Sequence, residues 1–326
     1  MTYTFRTLIA AAIGALALTG AARAEEVTLR YLANHGSVSA HELAQQLGYF
    51  DGTGVAVETT GFVSGGPESL FALASGSVDI GSAATSAVIN AIAGGNDFVA
   101  AYPTNGINDQ VQSIFHVLED SPIRSLADIA GKTIAVNTLG AHLDYTIREA
   151  LHSVGLPQQA VNLVVVPGPQ LEQVLRSGQV DIAGFGYWQT TFEGVARAHG
   201  GLRSVFDDTD ILGEIAGGFT VLRRDWVAAH PDAARTFVVQ SARALDHARS
   251  HPEQTREVLA RILEARGENP EVAQYFAGFG VREGGLPVER DVQFWIDVLV
   301  REGALAEGQL SASDILLVTA DQKATN

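Results

Sequence analysis

A six-residue pattern occurs twice in this chain, and the elements around it recur with it. Ser75-Gly76-Ser77-Val78-Asp79-Ile80 returns as Ser177-Gly178-Gln179-Val180-Asp181-Ile182. A helical stretch precedes each copy, residues 68–74 and 170–176. A Gly/Pro turn precedes each helix, with Pro67 and Pro169 each twelve residues before the repeated Asp. Upstream of the turns stand β-branched runs, Val55-Ala56-Val57 and residues 161–166. Further back, a strand pattern over 29–34 ends at His35-Gly36, and another over 133–137 ends at Thr138-Leu139-Gly140. Helical patterns follow both, 40–47 before Gly48 and 144–151 before Gly155. Each half therefore reads strand, Gly-bearing loop, helix, strand, Gly/Pro loop, helix, strand. Strands alternating with helical patterns imply βαβ units and a parallel sheet. So long a unit, present twice, implies a pair of similar α/β lobes rather than a solenoid.

The rest of the chain is mostly helical. Residues 217–222 read as a returning strand. After them come 225–229, an apolar-periodic run from Phe237 to Ala248, and Val258, Leu259, Ile262 and Leu263 on one helical face. Residues 292–300 repeat that type, and the last six or so are expected to fray.

The first 24 residues read as an address. Arg6 precedes an apolar run over 8–18, and Ala22-Arg23-Ala24 has the small residues of a cleavage site. The apolar run is too short for a membrane anchor, which needs about 20 residues. Export followed by life without a single Cys suggests a periplasm, and the missing Cys excludes disulfides, thiolate metal sites and a cysteine nucleophile. Lys and Arg number 21 against 37 Asp and Glu, a formal net charge of −16. Nucleic acid and anionic lipid need a basic footprint and are poor partners for such a surface.

In open parallel sheets, ligands bind beyond the carboxyl ends of the strands, where helix N-termini present free N–H groups. Small and polar residues stand at those places. The first half has His35, Gly36 and Ser37, then Ser64, Gly65 and Gly66, then Ser82 and Thr85. The second has Thr138, Gly140, Ala141 and His142, then Tyr187, Trp188 and Gln189. Gly lets a backbone approach a ligand, while Ser and Thr either bind it or merely cap their helices. Two such lobes facing each other make a hinged clamp.

The chain resembles the substrate-binding proteins of ABC importers of the nitrate/sulfonate/taurine type, a group that includes thiamine-precursor synthase-like proteins. The resemblance is carried by Gly48-Tyr49-Phe50, by Ser64-Gly65-Gly66-Pro67 and by 74–81. It continues through Ser125-Leu126-Ala127-Asp128-Ile129-Ala130-Gly131-Lys132 and 178–182. It implies a type II periplasmic binding protein fold, two α/β lobes joined by two crossovers with a ligand cleft between them. One lobe would combine 25–112 with 218–326 and the other would be 113–217, with crossings at 112–118 and 216–221. It implies, too, a monomeric solute-capture protein that makes no bond, needs no cofactor and hands its solute to a permease in the inner membrane. Enzymes on the same fold are the alternative, of the pyrimidine-precursor synthase or menaquinone-pathway lyase kind. The synthases use a cysteine-rich motif that this chain lacks. A subunit presenting solute to a sensory receptor is a third reading.

Among the candidate residues, Tyr187 and Trp188 offer a flat wall with a polar edge, and Phe185 reads as core. His35 and His142 fall in corresponding loops and would donate to an anion. A metal held by them with Asp144 or Asn34 is the competing idea, without a dense ligand cluster behind it. Asp79 and Asp181 recur together at strand entries, which points to capping rather than catalysis. The family leans towards small anions, sulfonates, nitrate and carboxylates. No Arg stands in the loops, which keeps open a neutral or aromatic solute, such as an aromatic carboxylate stacked on Tyr187 or Trp188.

Overall fold

The computed structural model describes residues 26–319. The leader over 1–24 lies outside those residues, as do the last seven. Among the described residues, no helix is long and apolar enough to cross a membrane.

Among the described residues, ten strands are formed in chain order. They are β1 (Val27–Asn34), β2 (Val55–Val63), β3 (Gly81–Ala84), β4 (Phe98–Ile107) and β5 (Ile114–Leu118). After them come β6 (Thr133–Val136), β7 (Asn162–Val165), β8 (Ile182–Phe185), β9 (Leu202–Asp207) and β10 (Ile215–Arg223). The second half builds one five-stranded sheet in the order β7-β6-β8-β5-β9. In the first half β1 pairs with β2, and β10 lies between β3 and β4. Main-chain N–H groups of Asp79 and Ile80 donate to the Arg30 carbonyl at 2.8 and 3.0 Å and join the two pieces. The strands of the first half therefore lie in the spatial order β2, β1, β3, β10, β4. That is the order of the second sheet, with β10 in the place of β5.

The repeated motif explains itself in this frame. Asp79 accepts the main-chain N–H of Arg30 on β1, and Asp181 accepts that of Thr133 on β6, at 3.0 and 2.8 Å. Each Asp stands just ahead of its strand and closes the ladder to the strand beside it. β3 begins at Gly81, two residues after Asp79, and β8 at Ile182, directly after Asp181.

The parallel pairing implied by the βαβ units holds for part of each half. β1, β2, β6, β7 and part of β8 pair parallel, but β10 runs antiparallel to β3 and β4, and β5 antiparallel to β8 and β9. Both exceptions are strands that enter from the other half of the chain, so a βαβ crossover does not set their direction.

β10 is buried along nearly its whole length because both its faces are covered. Phe219 and Val221 pack on one side with Trp295 and Leu299 of helix Arg290–Arg301. Leu222 packs on the other with Phe237 and Leu245 of helix Pro231–Ser250 and with Leu259 and Leu263 of helix Pro252–Ala265. Pro at the first position of these two helices costs nothing, since no carbonyl awaits its missing N–H. The C-terminal helices thus clothe the first set of strands. The second sheet has its own two clusters, around Ile134, Leu143 and Ile147 and around Leu171, Leu175 and Phe185.

Candidate ligand-binding site

Strand ends from both sheets converge on one cleft. β1 ends in Asn34, β3 carries Ser82, Ala83 and Ala84, and β4 contributes Thr104 and Asn105 near its end. Facing them, Asn137 and Thr138 follow β6, while Tyr187 and Trp188 follow β8. The main cavity holds about 60 Å³, and an inner recess that shares Asn34, Ser82, Thr104, Asn105 and Trp188 holds about 40 Å³.

Three helices begin at this cleft without a capping side chain. Helix Gly66–Ala74 starts from Gly65, helix Thr85–Ala93 from Ala84, and helix His142–Ser153 from Ala141. First-turn N–H groups have no partner within their helix, and the positive end of the dipole stands behind them. The arrangement suits an anionic or strongly accepting group. Gly66 sets how closely its helix approaches β3, since a Cβ there would meet Ala83 Cβ at 2.7 Å and its Cα at 2.9 Å.

Neither cavity is lined by Lys or Arg. The one carboxylate, Glu42 in the recess, is paired with Arg266. Asn137 is 7% exposed, and its Oδ1 has no partner in the protein. Trp188 forms the aromatic wall, edge-on to Tyr187 with centroids 4.8 Å apart. Burial, together with the Asp208 charge, holds the Tyr187 phenol well above its usual range, so it stays protonated.

Of the residues singled out in the sequence, Ser37, Gly65, Gly66, Ser82, Thr138, Ala141, Tyr187 and Trp188 line the cleft or its recess. The others stand elsewhere. His35 lies half exposed, stacked on Phe62 at 4.2 Å. Gly36 donates its N–H to Glu268 and accepts from Thr191 Oγ1 at 2.8 Å. Ser64 is exposed and donates its N–H to Glu68. The Thr85 hydroxyl, fully buried, donates to the Ala216 carbonyl. Gly140 donates to Asp144, a first-turn acid that Arg148 also holds. Gln189 accepts the Gly186 N–H and so braces its own turn. His142 begins its helix instead of standing in the loop before it. It is fully buried, with Nε2 2.7 Å from Asp208 Oδ2. Phe185 is core, as read. Among the described residues, no three or more His, Cys, Asp and Glu side chains cluster as metal ligands would.

Thr104, Asn105, Asn137 and His41 were missed, and Asn34, weighed only as a metal partner, lines the cleft. Asn34 and Asn137 had a signal, since the strand patterns over 29–34 and 133–137 each finish on an Asn. Roomier hollows exist, one of about 250 Å³ near Arg249 and Arg282 and one of about 390 Å³ beside Phe71. The first has its cations already paired, Arg282 with Asp291 and Arg249 with Asp246. The second has an exposed rim in Phe71.

The sheets also touch on both flanks of the cleft. On one side are the Thr191–Gly36 hydrogen bond and the Tyr275 ring, packed where a Gly194 Cβ would stand. On the other, Asn90 donates to Tyr145, and Arg301 pairs with Glu149.

Comparison with known proteins agrees with this geometry. The family model described as "NMT1/THI5 like" matches residues 38–255. A Brucella abortus protein named "Putative binding protein" is 26% identical over 271 residues, covering 82% of this chain and 81% of the relative. The alkanesulfonate-binding protein SsuA of Xanthomonas axonopodis pv. citri, bound to MOPS, superposes with a TM-score of 0.72 at 21% identity, covering 90% of this chain and 99% of that one. The periplasmic aliphatic sulphonate binding protein SsuA of Escherichia coli gives 0.68 at 22%, covering 90% and 92%. The fold is that of the periplasmic binding proteins.

Proposed function

The chain belongs to the NMT1/THI5-like family, and from that premise we propose that it is the periplasmic solute-binding component of an ABC importer. It captures a small organic anion, a sulfonate, carboxylate or aromatic carboxylate, by hinge closure and delivers it to a permease in the inner membrane. After removal of a signal peptide near Ala24, residues 25–112 and 218–326 would form one jaw and 113–217 the other, except that Ile215 and Ala216 already pair with β4 of the first. It works as a monomer, makes no bond and uses no cofactor.

One observation carries this reading. Three helices from the two sheets open, uncapped, onto a single cleft between them. Such a site binds acceptor groups by main-chain N–H donors and dipoles without a fixed countercharge. The sulfonate ligands of the structural relatives fit that chemistry.

Thermal-shift screening tests it, with alkyl and aromatic sulfonates, carboxylates, nitrate and vitamin precursors as the panel. A one-site ligand at 100 times its Kd adds about 2.7 kcal/mol of stability. A melting temperature unmoved by the whole panel would overturn the proposal, and turnover of a bound solute would replace it with an enzyme.

A further inference from the structure

Behind Trp188 the recess runs under helix Ala40–Gln46 and is lined by His41. The imidazole is 2% exposed and held on three sides. Its Nδ1 lies 2.7 Å from the hydroxyl of Tyr102, the Tyr31 ring stands edge-on at 4.6 Å, and Phe237 lies at 5.7 Å. Its Nε2 is buried and has no partner in the protein. Buried polar atoms in folded proteins are almost always paired, and this unpaired nitrogen belongs to a residue that lines the recess.

The charged and titratable groups around it are Glu42 on its own helix, Arg266 and Glu268 after helix Pro252–Ala265, Tyr31 on β1 and Tyr102 on β4. The acid in the recess is already engaged, since Glu42 pairs with Arg266 and accepts the Ser39 N–H. Burial, with the Arg266 charge beside it, pushes the His41 imidazole down to about 3. At neutral pH it is therefore an uncharged ring with one nitrogen committed and the other offered as a single donor or acceptor. An ammonium brought here finds no free carboxylate. A methyl leaves Nε2 as lonely as before.

We propose that His41 selects the solute: its Nε2 hydrogen-bonds an uncharged hydroxyl at one end of a small organic anion whose charged end meets the helix N-termini beside Gly65, Ala84 and Ala141. The inference rests on the solute-binding reading above and narrows it to hydroxy-substituted anions. A site built around a hydrogen bond rejects analogues lacking that group far more strongly than an apolar pocket rejects a missing methylene.

Calorimetry on the intact exported protein tests this with two matched sets of probes. One is 2-hydroxyethanesulfonate, ethanesulfonate and taurine. The other is 3-hydroxypropionate, propionate and β-alanine. The hydroxy compound of at least one set is expected to bind tenfold or more tighter than its two partners, and His41→Ala is expected to erase that preference. Equal binding within each set, or a preference that survives in His41→Ala, overturns the role of His41 and leaves the solute-binding reading standing. No binding by any of the six overturns the hydroxy-anion proposal, while the solute-binding reading falls only if the broader panel above also fails. Should His41→Ala fail to fold, ¹⁵N spectra of the parent decide. The His41 Nε2 resonance must move when the tightest of the six probes is added, and a resonance that stays in place overturns the proposal.

Discussion

The carboxylate of Asp79 receives the main-chain N–H of Arg30 at 3.0 Å and its guanidinium at 2.8 Å, fastening the approach to β3 against β1. Burial alone would raise this carboxyl. The hydrogen bonds from Arg30, with the charges of Arg30 and Arg223, outweigh it and hold the group below its usual range. Asp79→Asn is expected to cost about 1–2 kcal/mol in urea unfolding, since the guanidinium is partly exposed and screened. A depressed folded value means the carboxylate's contribution is complete above the unfolded value of about 4 and is lost as pH falls through the lower one. The parent should therefore lose stability below about pH 4 more steeply than the variant. Equal slopes would remove the ionic share.

Trp188→Ala is expected to weaken binding of whichever panel member stabilises the parent by tenfold or more, with a smaller effect on folding. The ring is only partly buried, braced by Tyr187, and it walls both cavities. Loss of this apolar contact is worth about 1–3 kcal/mol. Unchanged affinity in calorimetry would make Trp188 a purely structural residue.

Gly66→Ala forces helix Gly66–Ala74 away from β3, because the new methyl would stand 2.7 Å from Ala83 Cβ. The cost should be about 1–3 kcal/mol of stability, as for other overpacked sites. Solute affinity should fall as well, since the same shift moves one of the three open helix ends. A variant as stable as the parent would show that the contact is relieved elsewhere.

Thr191→Val deletes the hydrogen bond that crosses the cleft to the Gly36 carbonyl while keeping the side chain's shape. About 1 kcal/mol of closure energy goes with it. The radius of gyration of the unliganded protein should rise in small-angle scattering, and the affinity should drop about fivefold. Identical scattering curves would place the closing force on the other flank.

Asp208→Ala leaves His142 buried without its partner, and the Ser113 N–H loses its acceptor at the same time. Leaving a buried ring nitrogen and a buried main-chain N–H unsatisfied costs about 2–5 kcal/mol. Thermal unfolding measures this, and a loss below about 1 kcal/mol would mean water replaces the carboxylate.

The duplicated halves made the fold readable, because two copies of one element order fix βαβ units that a single copy would only suggest. What the sequence could not display were pairings over long separations. Asp208 lies far along the chain from His142, and Ala141 gives its helix no Ser, Thr or Asp to announce the start, so His142 read as a loop residue. Thr104 and Asn105 reach the cleft only because β10 returns to lie beside β4. His41 sits in the first turn of a helix and looks like any face residue until Tyr102 takes one of its nitrogens. The Gly/Pro loops, by contrast, announced Gly65 and Gly66 through local chemistry alone.

Ile107 and Ile215 stand opposite each other across the β4–β10 ladder, the last residue of one strand against the first of the other. Everything carried by β5 to β9 is spliced in at that point, as an oversized hairpin turn would be. On the proposed hinge reading, the spliced-in piece would swing as a unit while the ladder holding its two stems stays whole. It could also be excised and the stems rejoined by a short linker, which would turn one gene into two separable modules.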